Sequence, residues 1–225
     1  MGVVLAARSV SAGYSGVPAI HDVDIEINTG EMVLLAGPNG AGKSTTVMTL
    51  AGAIAPLVGD VEVDGEKCRL PLYRRTRGGL GVITEQRTVF MNLTVSDNIR
   101  LGRGKPEDVL KYFPELEKRL KVKAGLISGG EQQMLSVGRV LAANPQVVLA
   151  DELSLGLAPI VVKRLLSALR LAADGGAAVL LVEQHVRVAL DVVNRGYFLR
   201  RGRIELHGTR EELRHSDEAI QAIYL

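Results

Sequence analysis

The chain has 225 residues, 47% of them hydrophobic, with 27 basic against 25 acidic side chains and a net charge of +2. That length supports a sizeable core without disulfides, and the near-neutral balance argues against nucleic acid as a partner. A single cysteine, Cys68, excludes an internal disulfide and fits a reducing, cytoplasmic compartment.

A mean hydropathy of +0.17 is what parallel strands covered on both faces produce, because they read as continuous apolar runs. Residues 1–36 read as short strands, with Val23–Ile27 alternating as a half-buried strand does. Met32–Ala36 reads as a buried strand, residues 46–53 as a helix, and residues 59–65 as another alternating strand between turns. The longest uncharged stretch, residues 44–59, has 16 residues and contains Pro56, short of the roughly 20 apolar residues that cross a bilayer. Residues 1–8 carry their charge after the apolar run, unlike a secretory leader. From 97 to 124 the chain is charged and helix-favouring, punctuated by Pro106 and Pro114, and a helix follows over 134–143. The α/β pattern then returns: strand 147–150, helix 159–173 with proline at its start, strand 178–182, a short helix near 186–193, and strands at 196–199 and 203–207. Thr209-Arg-Glu-Glu212 has the form of a capping box opening a last helix.

Three segments carry chemistry. Gly37-Pro38-Asn39-Gly40-Ala41-Gly42-Lys43-Ser44-Thr45 fits G-x-x-x-x-G-K-[ST] between a buried strand and a helix, the context of a phosphate-binding loop. Its N–H groups would close around a β-phosphate, Lys43 would reach the β- and γ-phosphates, and the Ser44 hydroxyl would ligate Mg²⁺. Asp151 and Glu152 end an apolar strand, where one carboxylate can hold Mg²⁺ and the next can activate water. Ser128-Gly129-Gly130-Glu131 stands at a helix start, a second group of N–H donors for an anion.

These segments, in this order, resemble the ATP-binding-cassette (ABC) ATPases over essentially the whole chain. The resemblance implies an α/β fold: a P-loop NTPase core with an antiparallel β subdomain and a helical insert. It implies one ABC ATPase domain over 1–225, with its core in about 1–84 and 146–225 and its helical subdomain in about 96–145. It further implies that two cassettes enclose two ATP molecules, so that Ser128, Gly129, Gly130 and Glu131 meet the nucleotide held by the partner chain. Tyr14 takes the place of the aromatic that stacks on adenine. Asp151 takes that of the Mg²⁺-associated acid, Glu152 that of the general base, and 154–157 that of the loop communicating between cassettes.

Three positions depart from the family pattern. The family's glutamine before the helical insert, which touches Mg²⁺, falls on Glu85 or on Gln86. Its switch histidine falls on Gln184, the favoured position, or on His185. Leu153 replaces the proline usual after the catalytic glutamate.

The stretches at 85–90, 129–135, 154–159, 181–184 and 195–197 look like the smaller ATPase subunit of bacterial branched-chain amino-acid importers. Urea and short-amide importers use close relatives, and soluble cassettes that remodel protein or iron–sulfur scaffolds share the core motifs. The importer resemblance implies ATP and Mg²⁺, a second cassette (the same or a paralogous chain), two integral membrane permease subunits and, indirectly, an extracytoplasmic solute-binding protein. It puts the chain peripherally on the cytoplasmic face of the membrane.

Overall fold

The structure, a computed structural model, describes residues 2–184 and 186–225. Two sheets form it. The first is antiparallel, in the order β2 (Val17–Asn28), β1 (Val3–Tyr14), β4 (Val58–Val63), β5 (Glu66–Lys67). β1 and β2 are longer than the short strands expected. Ser15 and Gly16, both at positive φ, close them into one hairpin, the two-residue turn that suits strand twist.

The second sheet runs β10 (Arg203–Thr209), β9 (Arg195–Arg200), β3 (Met32–Ala36), β8 (Ala178–Val182), β7 (Val147–Asp151), β6 (Leu80–Ile83). All neighbours pair in parallel except β10, which turns back on β9 as an antiparallel edge. Every residue of β3, β7 and β8 is buried, as their apolar runs require; the one exception in kind is Asp151, at the end of β7.

Alternate side chains of these strands feed two cores. Val33, Leu35, Leu149 and Leu180 pack with the antiparallel sheet and α1 (Lys43–Ala51), while Met32, Leu34, Val148 and Leu181 pack with the remaining helices. Each such side chain contributes about 1.5–3 kcal/mol. Between β6 and β7 lie α3 (Val95–Arg100), α4 (Pro106–Tyr112) and α5 (Gly129–Leu141). Pro106 and Pro114 each open a new helical turn, so the charged stretch is broken into pieces. The other core is covered by α6 (Pro159–Asp174), α7 (Val186–Leu190), α8 (Arg210–Arg214) and α9 (Asp217–Tyr224).

Several boundaries differ from expectation. α1 begins at Lys43 rather than 46, and within it the Thr46 and Thr49 hydroxyls donate to the carbonyls of Gly42 and Thr45. α5 begins at Gly129 rather than 134, and α7 ends at Leu190. The last helix is two helices parted at His215 and Ser216; the capping box Thr209–Glu212 opens only the first. A short helix that the sequence did not suggest, α2 (Leu72–Arg77), carries the buried Arg75, whose guanidinium donates to the carbonyls of Leu50, Cys68 and Leu70.

Candidate functional site

The candidate residues leave the carboxyl ends of adjacent parallel strands, where ligands bind in open α/β sheets. β3 runs into Gly37–Ser44, β8 into Glu183 and Gln184, β7 into Glu152, and β6 into Glu85. Because the order is β3-β8-β7-β6, Gln184 emerges between the glycine loop and Glu152, and Glu85 lies beyond Asp151. His185 lies outside the described residues.

The loop's shape depends on two glycines. A Cβ on Gly37 (φ +149) would stand 2.1 Å from the Leu199 carbonyl oxygen, and one on Gly42 (φ +106) would stand 2.5 Å from Ile20 Cγ2. Both conformations are open to glycine and strained for other residues. Within the loop, Ala41 N–H donates to the Pro38 carbonyl. The Gly37 N–H donates to the Tyr224 hydroxyl, 3.1 Å away on α9. Asn39 and Gly40 are exposed at the loop's tip, whereas Thr45 is buried in the first turn of α1.

Lys43 is only 4% exposed. Its Nζ donates to the carbonyls of Gly37 and Pro38, both at 3.1 Å, and lies 3.6 Å from Glu152 Oε1. One cation therefore links the glycine loop to the candidate base.

Asp151 is buried, and its Oδ1 finds no hydrogen-bond partner among the described residues. Burial pushes its carboxyl above the usual carboxylate range; the nearby Ser44 hydroxyl and the Lys43 charge pull the other way, and the charges of Glu152 and Glu85 add to the rise. An orphaned buried oxygen beside a hydroxyl is a donor set that fits a hard cation. Among the described residues no group of three or more His, Cys, Asp or Glu could hold a metal alone. Ser44 and Asp151 would therefore take Mg²⁺ together with phosphate and water oxygens, its usual habit. Before the insert, Glu85 is exposed and its charge reaches Asp151, an influence that the neutral amide of Gln86 cannot exert in any position. Gln86 is exposed, and its carbonyl accepts from the Thr84 hydroxyl.

Ser128 caps α5. Its Oγ accepts from the Glu131 N–H at 3.3 Å and donates to Glu131 Oε2 at 2.8 Å, and Arg119 holds the other Glu131 oxygen at 2.8 Å. Glu131, grouped by the sequence with the nucleotide contacts, thus spends its carboxylate on the cap; a carboxylate has no proton to offer a phosphate. Gly129 lies under the Arg87 guanidinium, and a Cβ on Gly130 would meet Val161 at 2.9 Å. Ser128→Ala is expected to cost about 1 kcal/mol of stability, the usual loss of a cap, read as a lower denaturant midpoint.

Tyr14 is exposed at the end of β1, in the hairpin whose return strand brings Ala19 and Ile20 against Gly42. Gln184 lines a largely apolar cavity of about 790 Å³ with Ser154 and Leu157, α7 and α9. Sequence reasoning missed two further contacts: Tyr224 on Gly37, which no motif signals, and the buried Glu183 on Ser154. A charged residue directly after a fully apolar strand was the available hint of the second.

A family model described as ABC transporter matches residues 20–154. The chain is 40% identical over 216 residues to the high-affinity branched-chain amino acid transport ATP-binding protein BraG of Pseudomonas aeruginosa, covering 92% of this chain and 93% of that one. It is 34% identical over 236 aligned positions to the lipopolysaccharide export system ATP-binding protein LptB of Escherichia coli, covering 98% and 96%. Among solved structures it resembles an ATP-binding subunit of an ABC transporter, with TM-score 0.81 and 27% identity over 96% of this chain and 94% of that one. No helix among the described residues is long and apolar enough to cross a membrane. The phosphate loop, the paired carboxylates at the sheet edge and these likenesses converge: the chain belongs to the ABC transporter family, as one of its ATP-binding, ATP-hydrolysing cassettes.

Proposed function

We propose that this cassette powers a membrane importer of branched-chain amino acids, paired with a second cassette and seated on two permease subunits fed by a solute-binding protein. The likeness to BraG over nearly the full length of both chains carries the solute class. The membrane partner is supported by the loop between β6 and α3, where Phe90, Met91 and Leu93 are exposed. Asn98, fully buried, bonds to the Phe90 N–H and to the Phe90 and Thr94 carbonyls. An apolar surface on a pinned loop suits a rigid docking contact.

In the proposed cycle Tyr14 stacks on the adenine, and the loop N–H groups with Lys43 hold the β- and γ-phosphates. Ser44 and Asp151 hold Mg²⁺, which supplies neutralisation of phosphate charge. Ser128, Gly129 and Gly130 of each cassette face the γ-phosphate held by the other. Glu152 accepts a proton from the attacking water, and Gln184 contacts the γ-phosphate until it leaves. Differential affinity for ATP and its products then drives closure and reopening.

Asp151→Asn is expected to raise the Mg²⁺ requirement for nucleotide binding by about tenfold or more, because losing even a residue outside the ligand set costs about 10–100-fold in metal affinity. Its melting temperature is expected not to fall, because the amide buries no charge. Mg²⁺ titrations and thermal melts check both halves.

The test of the whole assignment is co-purification of the tagged chain from detergent-solubilised membranes, followed by reconstitution. Two polytopic proteins and a second cassette, with leucine-stimulated ATP hydrolysis, are expected. The likeness to LptB carries a second reading, an envelope-lipid exporter; a complex stimulated by lipopolysaccharide and indifferent to leucine would favour it. Recovery of soluble partners alone would support a scaffold-remodelling ATPase instead.

A further inference from the structure

Glu152 has φ +48. A left-handed backbone costs a residue with a Cβ about 1–3 kcal/mol and persists only where its surroundings enforce it. Leu153 permits the conformation, since a proline there would push residue 152 toward extended backbone.

Two contacts enforce it. On one side the Glu152 N–H donates to the Val182 carbonyl at 3.0 Å, which ties it to the end of β8. On the other, Glu183, 2% exposed, takes both donors of Ser154: the N–H on Oε1 at 3.1 Å and the hydroxyl on Oε2 at 2.5 Å. A buried carboxylate is costly unless fully bonded, and a hydroxyl–carboxylate bond of this length is charge-assisted and strong. Residues 152 and 154 are thus fastened to Val182, the last residue of β8, and to Glu183 directly after it, with Leu153 buried between them.

We propose that Glu183 is a positioning residue for hydrolysis: its carboxylate, through Ser154, holds Glu152 in the left-handed conformation that presents its side chain beside Lys43. The same clamp joins the residue preceding Gln184 to the loop 154–157, so displacement of one end of β8 moves both Gln184 and the base. The inference rests on the reading of Glu152 as the base.

The test uses the full chain with three variants: Glu183→Gln, Ser154→Ala and, as reference, Glu152→Gln. A glutamine at 183 retains one acceptor oxygen but turns an amide NH₂ where the Ser154 hydroxyl must donate. Glu183→Gln is expected to lower kcat about tenfold or more, the scale of loss when a reacting group is misplaced by a fraction of an ångström to about one ångström. Equilibrium binding of a fluorescent ATP analogue should stay unchanged. Ser154→Ala, which deletes only the hydroxyl, should lower kcat in the same direction without altering that affinity. Unchanged kcat in both variants, against an inactive Glu152→Gln, would overturn the positioning role alone. A parallel loss of affinity, kcat and melting temperature would also overturn it, by assigning Glu183 to stability. Normal turnover in Glu152→Gln would remove the underlying reading.

Discussion

Glu152→Gln is expected to bind ATP with near-normal affinity and to hydrolyse it at least about 100-fold more slowly, the scale of losing a general base. The substitution preserves size and backbone, so the Glu152 N–H can still reach the Val182 carbonyl. It removes the only function a neutral amide cannot replace, acceptance of a proton from water. It also dissolves the 3.6 Å pairing with Lys43, which leaves Lys43 freer to follow phosphate and does not weaken binding. The measurement is phosphate release at saturating ATP beside equilibrium nucleotide binding. Turnover close to that of the unaltered chain would contradict the assignment.

Lys43→Ala should do the opposite, losing ATP at the binding step. The ammonium is nearly inaccessible, and its nearest partners among the described residues are two carbonyls and the Glu152 carboxylate at 3.6 Å. A triphosphate is a stronger partner than these. Hydrogen bonds to charged groups are worth about 1.5–3 kcal/mol, so affinity should fall by about 10–100-fold at 1.4 kcal/mol per tenfold. Isothermal titration with a non-hydrolysable analogue separates this from a defect in chemistry. The two variants form a pair: one holds nucleotide without consuming it, and the other fails to hold it.

Strongly patterned features of this fold were legible in the sequence. Met32–Ala36 and Ala178–Val182 announced themselves as unbroken apolar runs, and Pro159 and Thr209 marked true helix starts. Legibility failed where side chains repair a poor local propensity. The start of α5 at Ser128–Glu131 was legible, but the continuous helical pattern showed only from Met134, because the two glycines weaken the first turn and part of its support comes from Arg119, which is distant in sequence. Strand order was also invisible: nothing in the residues of β8 says that it lies between β3 and β7. That adjacency decides that Gln184 leaves the sheet from the strand lying between those that carry the glycine loop and Glu152, and that Glu183 reaches Ser154.

The register of the sheet has one more consequence. β3, β8 and β7 are five residues each, and Leu35 and Asp151 both stand opposite Val182. The three chains therefore arrive at the reaction edge level with one another, and the sheet acts as a ruler. Inserting one residue into β8 would advance its end by about 3.3 Å and turn every later side chain to the opposite face. Gln184 would then point where Glu183 now points, and the carboxylate that fastens Ser154 would face away. An exposed turn far from this edge can absorb an extra residue locally, whereas in these three strands an exchange of one apolar residue for another keeps the register and an insertion does not.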